Sequence, residues 1–447
     1  MLNEPALSHD DQPASRAPRP LTDAALEPDR FSDLRAIAAT IMVISREIAV
    51  DENTGQALRE DMLLLPGSAP EVVFEGQLTL PSEEAYASID GLLAPLDYIP
   101  LLRHNRAAGG GVLLIIAHGR PKVTERSPWI NIALFFATLL SLLYVGTNIA
   151  AGEAGGVNPA LGAEIFNNPL QNLWRGAPYA IALMLILGAH ELGHYFAARR
   201  HKMGATLPYF IPLPPPLSLF GTAGAFIQLR EPLKNRKTLL DVGAAGPLMG
   251  LLFAIPIVMI GLATSPVGPV AGSGLVEGNS LLYALAKVLT LGRFVPVGDI
   301  DVTMNQLAQA GWTGLLVTAI NLIPLGQLDG GHILYSLVGN SARRLYVPVL
   351  LATIALTLFF SESWLLWLGL LFIFGRFYAV PLDAVTQLDP RRRFIAILSL
   401  LVFVVTFVPV PFQVRIVETA PVIRESVFAL PIIAAVLCAA MLRRRWR

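Results

Sequence analysis

Charged residues are scarce in this chain, and cysteine is almost absent. Of the 447 residues, only 15% are charged and 54% are hydrophobic, whereas soluble globular domains carry about 25% charged residues. The single cysteine, Cys438, excludes a disulfide framework and a cysteine-rich metal site. Basic and acidic residues are equal at 33 each, so no basic excess indicates a nucleic-acid partner. What the chain does contain is a series of long apolar runs, which are typical of a polytopic membrane protein.

The N-terminal quarter lacks such runs. Residues 1–30 hold acids and prolines but few aromatic or β-branched side chains, so we expect a disordered tail without an apolar secretory leader. Residues 31–125 are patterned as a soluble domain, with a strand at 71–80, a helix at 81–96 and a hairpin of 98–105 with 112–119. This order predicts a small cytosolic α+β domain with a ferredoxin-like arrangement.

The apolar runs fall in residues 126–447, which we assign to the membrane. Eight of them lie at about 129–149, 178–198, 240–264, 312–334, 345–360, 364–380, 394–411 and 428–442, the C-terminal helices occupying 345–442. Basic clusters follow every second run, whereas 265–311 holds only Lys287 and Arg293. The positive-inside rule therefore predicts about eight transmembrane helices with both termini in the cytosol. An Arg- and Ser-rich, acid-poor transit peptide is not evident, which favours a bacterial inner membrane over a plastid.

The second apolar run contains ionisable residues that are costly to place in hydrocarbon. It reads LGAHELGHYFAARRH at 187–201 and holds three of the seven histidines of the chain. His190 and His194 lie four residues apart, so they project from one face of a helix and can bind one metal ion. Glu191 lies beside them as a candidate general base. This is the H-E-x-x-H arrangement of zinc peptidases.

A catalytic zinc site needs a third protein ligand and one open position. Asp329, in TAINLIPLGQLDGGHI at 318–333, is the only acid in the fourth apolar run and is the favoured candidate. His332 is the alternative. An Asp-Gly turn that ends a helix would account for Asp329 without any metal.

HELGH, followed by NLIPLGQLDGGH, resembles the site-2 protease family of intramembrane zinc metalloproteases. The signatures of that family are H-E-x-x-H and a later N-x-x-P-x-x-x-L-D-G, and the resemblance covers residues 175–335. The N-terminal region and FGTAGAFIQLR are most similar to the branch found in plastids and photosynthetic bacteria. The second signature is matched at Asn321, Pro324, Leu328, Asp329 and Gly330.

The resemblance implies a metalloprotease core and a set of residue roles. One zinc ion would be bound by His190, His194 and Asp329, with Glu191 as general base and acid. Asn321 would be a second catalytic residue that positions the substrate or stabilises the oxyanion, and Pro324 would be a substrate contact.

One segment between the two motifs, residues 208–232, lacks helical character. Pro212 to Pro216, in PYFIPLPPPLSLFGTAGAFIQLREP at 208–232, cannot form a helix, and 221–229 is patterned as an extended segment. We expect this segment to pair with an extended substrate by β-augmentation. The candidate substrate-binding residues are Gly221, Thr222, Gly224 and Phe226. An interfacial loop shaped by prolines is the simpler alternative.

The predicted function is intramembrane zinc-dependent cleavage of transmembrane or membrane-anchored proteins. Catalytically silent, chaperone-like relatives lose the glutamate or a ligand, whereas all four positions are intact here. A metal transporter would need polar residues along several spans, and the fifth to eighth runs supply almost none. Substrate identity and oligomeric state do not follow from the sequence.

Overall fold

The structure is a computed structural model, and it describes residues 28–51, 54–56, 58, 69–105, 111–120, 127–269, 274–298 and 300–415. The predicted disordered tail lies outside the described residues except at its end, because helix α1 (Pro28–Ala39) begins before residue 31. The last apolar run, 428–442, also lies outside them.

The N-terminal region contains a four-stranded antiparallel sheet. Its order is β1-β2-β4-β3, formed by β1 (Met42–Ala49), β2 (Ala69–Leu78), β3 (Tyr98–His104) and β4 (Val112–His118). Helix α2 (Ser82–Leu93) connects β2 to β3, with Glu83 and Glu84 in its first turn, where they complement the helix dipole. All neighbouring strands are antiparallel. Strands β2 and β3 are therefore parallel to each other with β4 between them, so β2, α2 and β3 form the split βαβ unit that ferredoxin-like folds contain. The ferredoxin-like arrangement of the whole region stays a prediction.

A segment from the far end of the chain extends this sheet beyond β3. The N–H of Leu102 donates to the carbonyl of Leu382 at 3.0 Å, and the N–H of Ala384 donates to the carbonyl of Leu102 at 3.0 Å. Leu382 packs into the buried core of the N-terminal region. Arg103 is buried beside it and donates to the Leu382 carbonyl at 2.7 Å. Burial lowers the pKa of Arg103 to about 10.

The same segment also contacts the residues that precede the third membrane helix. The N–H of Leu382 donates to the carbonyl of Leu233, and that of Asp383 to the carbonyl of Lys234, both at 2.8 Å. Residues 382–384 thus connect the N-terminal sheet to the beginning of that helix.

The remaining helices are mostly apolar. In chain order they are α3 (Trp129–Val157), α4 (Pro159–Asn167), α5 (Ala177–Arg200), α6 (Arg236–Thr264), α7 (Leu281–Leu291), α8 (Gln306–Asn321), α9 (Asp329–Val338), α10 (Tyr346–Phe359), α11 (Trp364–Phe374) and α12 (Pro390–Thr406). Four helical stretches in the described chain are long and apolar enough to cross a membrane, namely Trp129–Val157, Leu173–Arg200, Arg236–Thr264 and Asp329–Phe359. A helical membrane architecture is supported, and the total of eight spans stays a prediction.

The fourth predicted span, 312–334, is not one helix. Helix α8 ends at Asn321 and α9 begins at Asp329. Pro324 lacks an N–H and its ring cannot follow a helical turn, and Gly326 has a φ of 61°. Leu322 and Leu325 are fully buried in the break. Irregular backbone at membrane depth is tolerated only where protein encloses it, and this break makes Asp329 the first residue of a new helix.

Short strands connect the helices. Between α5 and α6, β5 (Tyr209–Leu213) pairs with β6 (Gly221–Phe226) in an antiparallel hairpin. At the other end of α6, β7 (Val267–Pro269) pairs with β9 (Ile300–Val302), and β8 (Gly274–Glu277) pairs with β10 (Phe412–Arg415).

A buried charge cluster lies next to α7. Lys287 is fully buried, with its Nζ 3.3 Å from Glu277 Oε1 and 3.9 Å from Asp301 Oδ1. Its ammonium group lies 4.5 Å from the ring centroid of Tyr283, whose hydroxyl donates to Glu277 at 3.1 Å. Burial raises the pKa of Glu277. Removing one partner from such a cluster leaves the others buried without compensation.

We therefore expect Lys287→Met to destabilise the protein by about 3–5 kcal/mol, the usual result of breaking a buried ion pair. The measurement is the midpoint of thermal unfolding in detergent. Arg293→Met, which removes an exposed charge just beyond α7, is the matched control. Adding Glu277→Gln to Lys287→Met should recover part of the loss, and a Lys287→Met protein as stable as the wild type would contradict this account.

Candidate metal centre

Three side chains that could bind one metal ion converge from two separate helices. His190 and His194 come from α5, and Asp329 comes from the first turn of α9. His190 Nε2 lies 3.2 Å from Asp329 Oδ2, and His194 Nε2 lies 3.4 Å from Asp329 Oδ1. One ligand atom from each residue lies within 4.8 Å of the others. The sequence separation of Asp329 from the histidines is thus bridged by the packing of α5, α6 and α9.

The backbone of α6 determines which nitrogen of His194 faces this group. His194 Nδ1 lies 2.7 Å from the carbonyl oxygen of Val242. A carbonyl only accepts hydrogen bonds, so Nδ1 carries the hydrogen and Nε2 is left with its lone pair. His194 Nε2 lies 3.2 Å from His190 Nε2 and also faces the Asp329 carboxylate.

This arrangement fits a divalent metal ion. The two imidazoles are almost completely buried, so a cation shared by all three side chains is the compensation that a low-dielectric site requires. Two imidazole nitrogens and one carboxylate are the kind of ligand set that catalytic zinc sites use, with one further position open. The Val242 carbonyl is placed to supply the outer contact that orients a metal-binding histidine.

Glycines on one face of α6 allow it to pack directly against the ligands. A Cβ at Gly246 would lie 2.1 Å from His194 Nε2, and one at Gly250 would lie 3.2 Å from His190 Cβ. A Cβ at Gly193 of α5 would lie 2.5 Å from the backbone oxygen of Ala245. The two helix backbones therefore touch at the depth of the metal ligands, as small residues permit in membrane proteins. These glycines belong to the run LLDVGAAGPLMGLLFA at 239–254, whose small residues permit close helix packing but do not identify the partner helix.

Two further polar groups lie next to the ligand group. Glu191 is buried, and its Oε1 lies 4.0 Å from His190 Nε2. The backbone N–H of Ile227, directly after β6, faces the Glu191 carboxylate. Asn321, the last residue of α8, has its Nδ2 3.4 Å from His190 Nε2. Sequence reasoning singled out Glu191 and Asn321 but missed the Ile227 backbone.

The alternative third ligand is not part of the ligand group that the described residues form. His332 lies one turn after Asp329, and its Cβ would be 3.0 Å from a Cβ added at Gly243 of α6. It therefore packs against α6, while Asp329 supplies the carboxylate near both imidazoles.

The predicted substrate-binding residues lie in two places. Pro324 lies in the break between α8 and α9. Gly221 and Thr222 are buried, the Gly221 carbonyl accepting from Ser141 of α3 at 2.6 Å. Gly224 has a φ of 103°, and Phe226 is half exposed and stacks on Tyr209. Gly221 and Thr222 thus lie next to the turn of the hairpin, while Gly224 and Phe226 lie toward its open end.

Residues 178–360 match the model described as peptidase family M50. The predicted resemblance to the site-2 protease family is confirmed. The match contains both sequence motifs, α5 with His190 and His194, and the first turn of α9 with Asp329. No solved structure matches the chain at a significant level.

Several plant proteins are similar to this chain. This chain is 32% identical over 261 residues to the probable zinc metalloprotease EGY2, chloroplastic, of Arabidopsis thaliana. The aligned region covers 57% of this chain and 46% of that protein. This chain is also 30% identical over 321 residues to the probable zinc metalloprotease EGY1, chloroplastic, of the same plant, covering 67% of this chain and 58% of that protein. The chain thus spans about half the length of these relatives. Their names support the predicted enzyme class and the zinc cofactor.

We expect Gly246→Ala to weaken metal binding by about 10- to 100-fold, the loss typical of disturbed outer contacts in metal sites. The added methyl group would overlap the imidazole of His194. The measurement is metal content per protein after dialysis against a metal buffer. Gly188→Ala on α5 is the matched control, because a Cβ there meets nothing within 4 Å. Equal metal content in the two variants would contradict the packing described here.

Proposed function

We propose that this protein is a zinc metalloendopeptidase that hydrolyses peptide bonds of membrane-embedded or membrane-anchored proteins. The observation that carries the proposal is the convergence of two imidazoles and one carboxylate, from helices on either side of α6, with a buried glutamate beside them. The match to peptidase family M50 and the zinc metalloprotease relatives support the same chemistry.

His190, His194 and Asp329 would hold the ion. Bound zinc polarises a substrate carbonyl and lowers the pKa of water toward about 7. Glu191 would accept the proton of the attacking water and pass it to the leaving amine, since its carboxylate lies next to His190. The Asn321 amide lies within reach of the same position and would donate to the carbonyl oxygen as negative charge develops on it. The burial of Glu191 restricts competing water.

The backbone amides of a helical substrate are hydrogen-bonded within the helix, so a protease that cleaves it must hold the substrate as an extended chain. The β5–β6 hairpin supports this role. Its ladder continues beyond β6, because the N–H of Thr206 donates to Gln228 and the N–H of Arg230 donates to Gly204. Within the described residues, β6 has a strand partner on one edge only. With the Ile227 backbone facing Glu191, a substrate strand added to the other edge would run past the catalytic glutamate.

The orientation of the chain in the membrane is part of the same proposal. The basic clusters after α5 and in the connection between α9 and α10 would lie on the side of the N-terminal sheet, and both termini would face that side. The relatives are chloroplastic by name, which gives no support to the bacterial inner membrane expected from the sequence. The proposal is therefore limited to a multi-pass membrane protein with about eight spans.

We expect Glu191→Gln to retain metal and to lose about 10²- to 10⁴-fold in cleavage rate, the range typical of general acid–base catalysis. Asp329→Ala should lose both metal and cleavage, because one of three ligands is removed. The assay combines metal analysis of purified protein with cleavage of single-span substrates. Glu362→Gln, on an exposed loop, is the control. Cleavage by Glu191→Gln at the wild-type rate would refute the mechanism, and a metal-loaded wild type inactive on every substrate would favour a catalytically silent relative.

The strand-edge role is tested best on the substrate. Proline cannot adopt the positive φ of Gly224, so Gly224→Pro would distort the hairpin itself. We expect substrates with N-methylated backbone amides beside the cleaved bond to be cleaved at least about tenfold more slowly, the cost of losing one or two hydrogen bonds. The same methyl groups placed one or two helical turns away are the control. Equal rates for both substrates would contradict β-augmentation.

A further inference from the structure

Two adjoining cavities lie beside the start of α6, the end of α9 and the start of α12. The first, of about 290 Å³, is lined by Arg236, Leu337, Val338, Gln387, Leu388 and Arg393. The second, of about 430 Å³, is lined by Leu388, Pro390, Arg393, Phe394 and Ile397. They share Leu388 and Arg393, so they form one continuous depression with a polar half and an apolar half.

The polar half carries two positive charges. Arg236 is the first residue of α6, and Arg393 lies in the first turn of α12. Within the described residues, neither guanidinium lies within 4.0 Å of a carboxylate. Asp389, the nearest acid in sequence, pairs with Arg392 instead. The guanidinium of Arg236 donates to the carbonyls of Ser336 and Leu337 through Nε and Nη2.

The apolar half opens onto an exposed apolar surface of α12. Phe394 and Ile397 are 65% and 46% exposed, and Leu401 and Val404 continue the same face of α12 at 55% and 56%. These residues recur at helical spacing, so they form an apolar track that leads from Arg393 toward the C-terminal end of α12. The depression thus has a cationic part joined to an apolar track, an arrangement that complements a molecule with an anionic headgroup and an apolar chain.

We propose that this depression binds one anionic phospholipid. The phosphate of the headgroup lies between Arg236 and Arg393, and an acyl chain follows the track on α12. Basic pockets between membrane helices recognise anionic headgroups in this way, and arginine suits phosphate because its donors form a planar fork.

The location gives the lipid a structural consequence. Arg236 begins α6, whose Val242 carbonyl orients His194. Leu337 lies in the last turn of α9, whose first residue is Asp329. A bound anion would hold α6, the end of α9 and α12 together, and so would stiffen the elements that support the metal ligands.

The test uses native mass spectrometry of the purified full-length protein in detergent, and its readout does not depend on proteolysis. Dioleoyl phosphatidylglycerol should be retained over dioleoyl phosphatidylcholine. Arg393→Gln should reduce retention of phosphatidylglycerol by about tenfold or more, as expected for the loss of one charge-assisted hydrogen-bonding group. Arg391→Gln removes the same charge from the same turn but lines neither cavity, so it should bind like the wild type.

Three results would overturn the proposal. Equal retention of the two lipids would exclude recognition of an anionic headgroup. Equal losses in Arg391→Gln and Arg393→Gln would indicate a diffuse electrostatic attraction. Displacement of phosphatidylglycerol by millimolar inorganic phosphate would assign the depression to a free anion. Arg236 is not the primary variant, because it also holds the end of α9 and its replacement could disturb the fold.

Discussion

The candidate metal centre depends on a single electrostatic constraint. Two imidazoles and a carboxylate face one another in a largely buried site, and a cation shared by all three would compensate them. Each neighbouring element meets this constraint in a different way. Helix α5 presents the two histidines one turn apart, the Val242 carbonyl orients one of them, and the break after α8 brings Asp329 to the same depth.

Helix α6 is the element through which distant parts of the chain reach this centre. Its glycine face contacts the imidazole rings, and Leu233 and Lys234, just before its first residue, accept hydrogen bonds from the segment 382–384. The same segment hydrogen-bonds to Leu102 of β3 at the edge of the N-terminal sheet, and Leu382 lies in the core of the N-terminal region. The position of this region and the position of α6 are therefore linked by backbone hydrogen bonds. The proposed lipid would act on the same helix from its other neighbour, α12.

Extended backbone at membrane depth is tolerated here because protein satisfies it. In the β5–β6 hairpin, Ser141 of α3 donates to the Gly221 carbonyl at 2.6 Å, and Asn131 donates to the Leu207 carbonyl at 2.7 Å. These contacts hold the hairpin at both ends, because Gly221 pairs with Leu213 next to the turn and Leu207 precedes Tyr209, which pairs with Phe226 at the open end. The same logic explains the break between α8 and α9. A Cβ at Gly330 would lie 2.0 Å from the Leu322 oxygen, so only glycine allows α9 to start this close.

The sequence by itself determined the local chemistry of this protein. His190 and His194 share a helix face because of their spacing, and the second motif singled out Asp329 and Asn321 before any contact was known. It also indicated the small residues of α6, but not what they touch. Only the tertiary structure decided that Val242 orients His194, that 312–334 is interrupted, and that 382–384 extends a sheet formed some 280 residues earlier. The physical reason is that spacing along one helix sets side-chain direction locally, whereas strand pairing and helix contact depend on which distant surfaces meet.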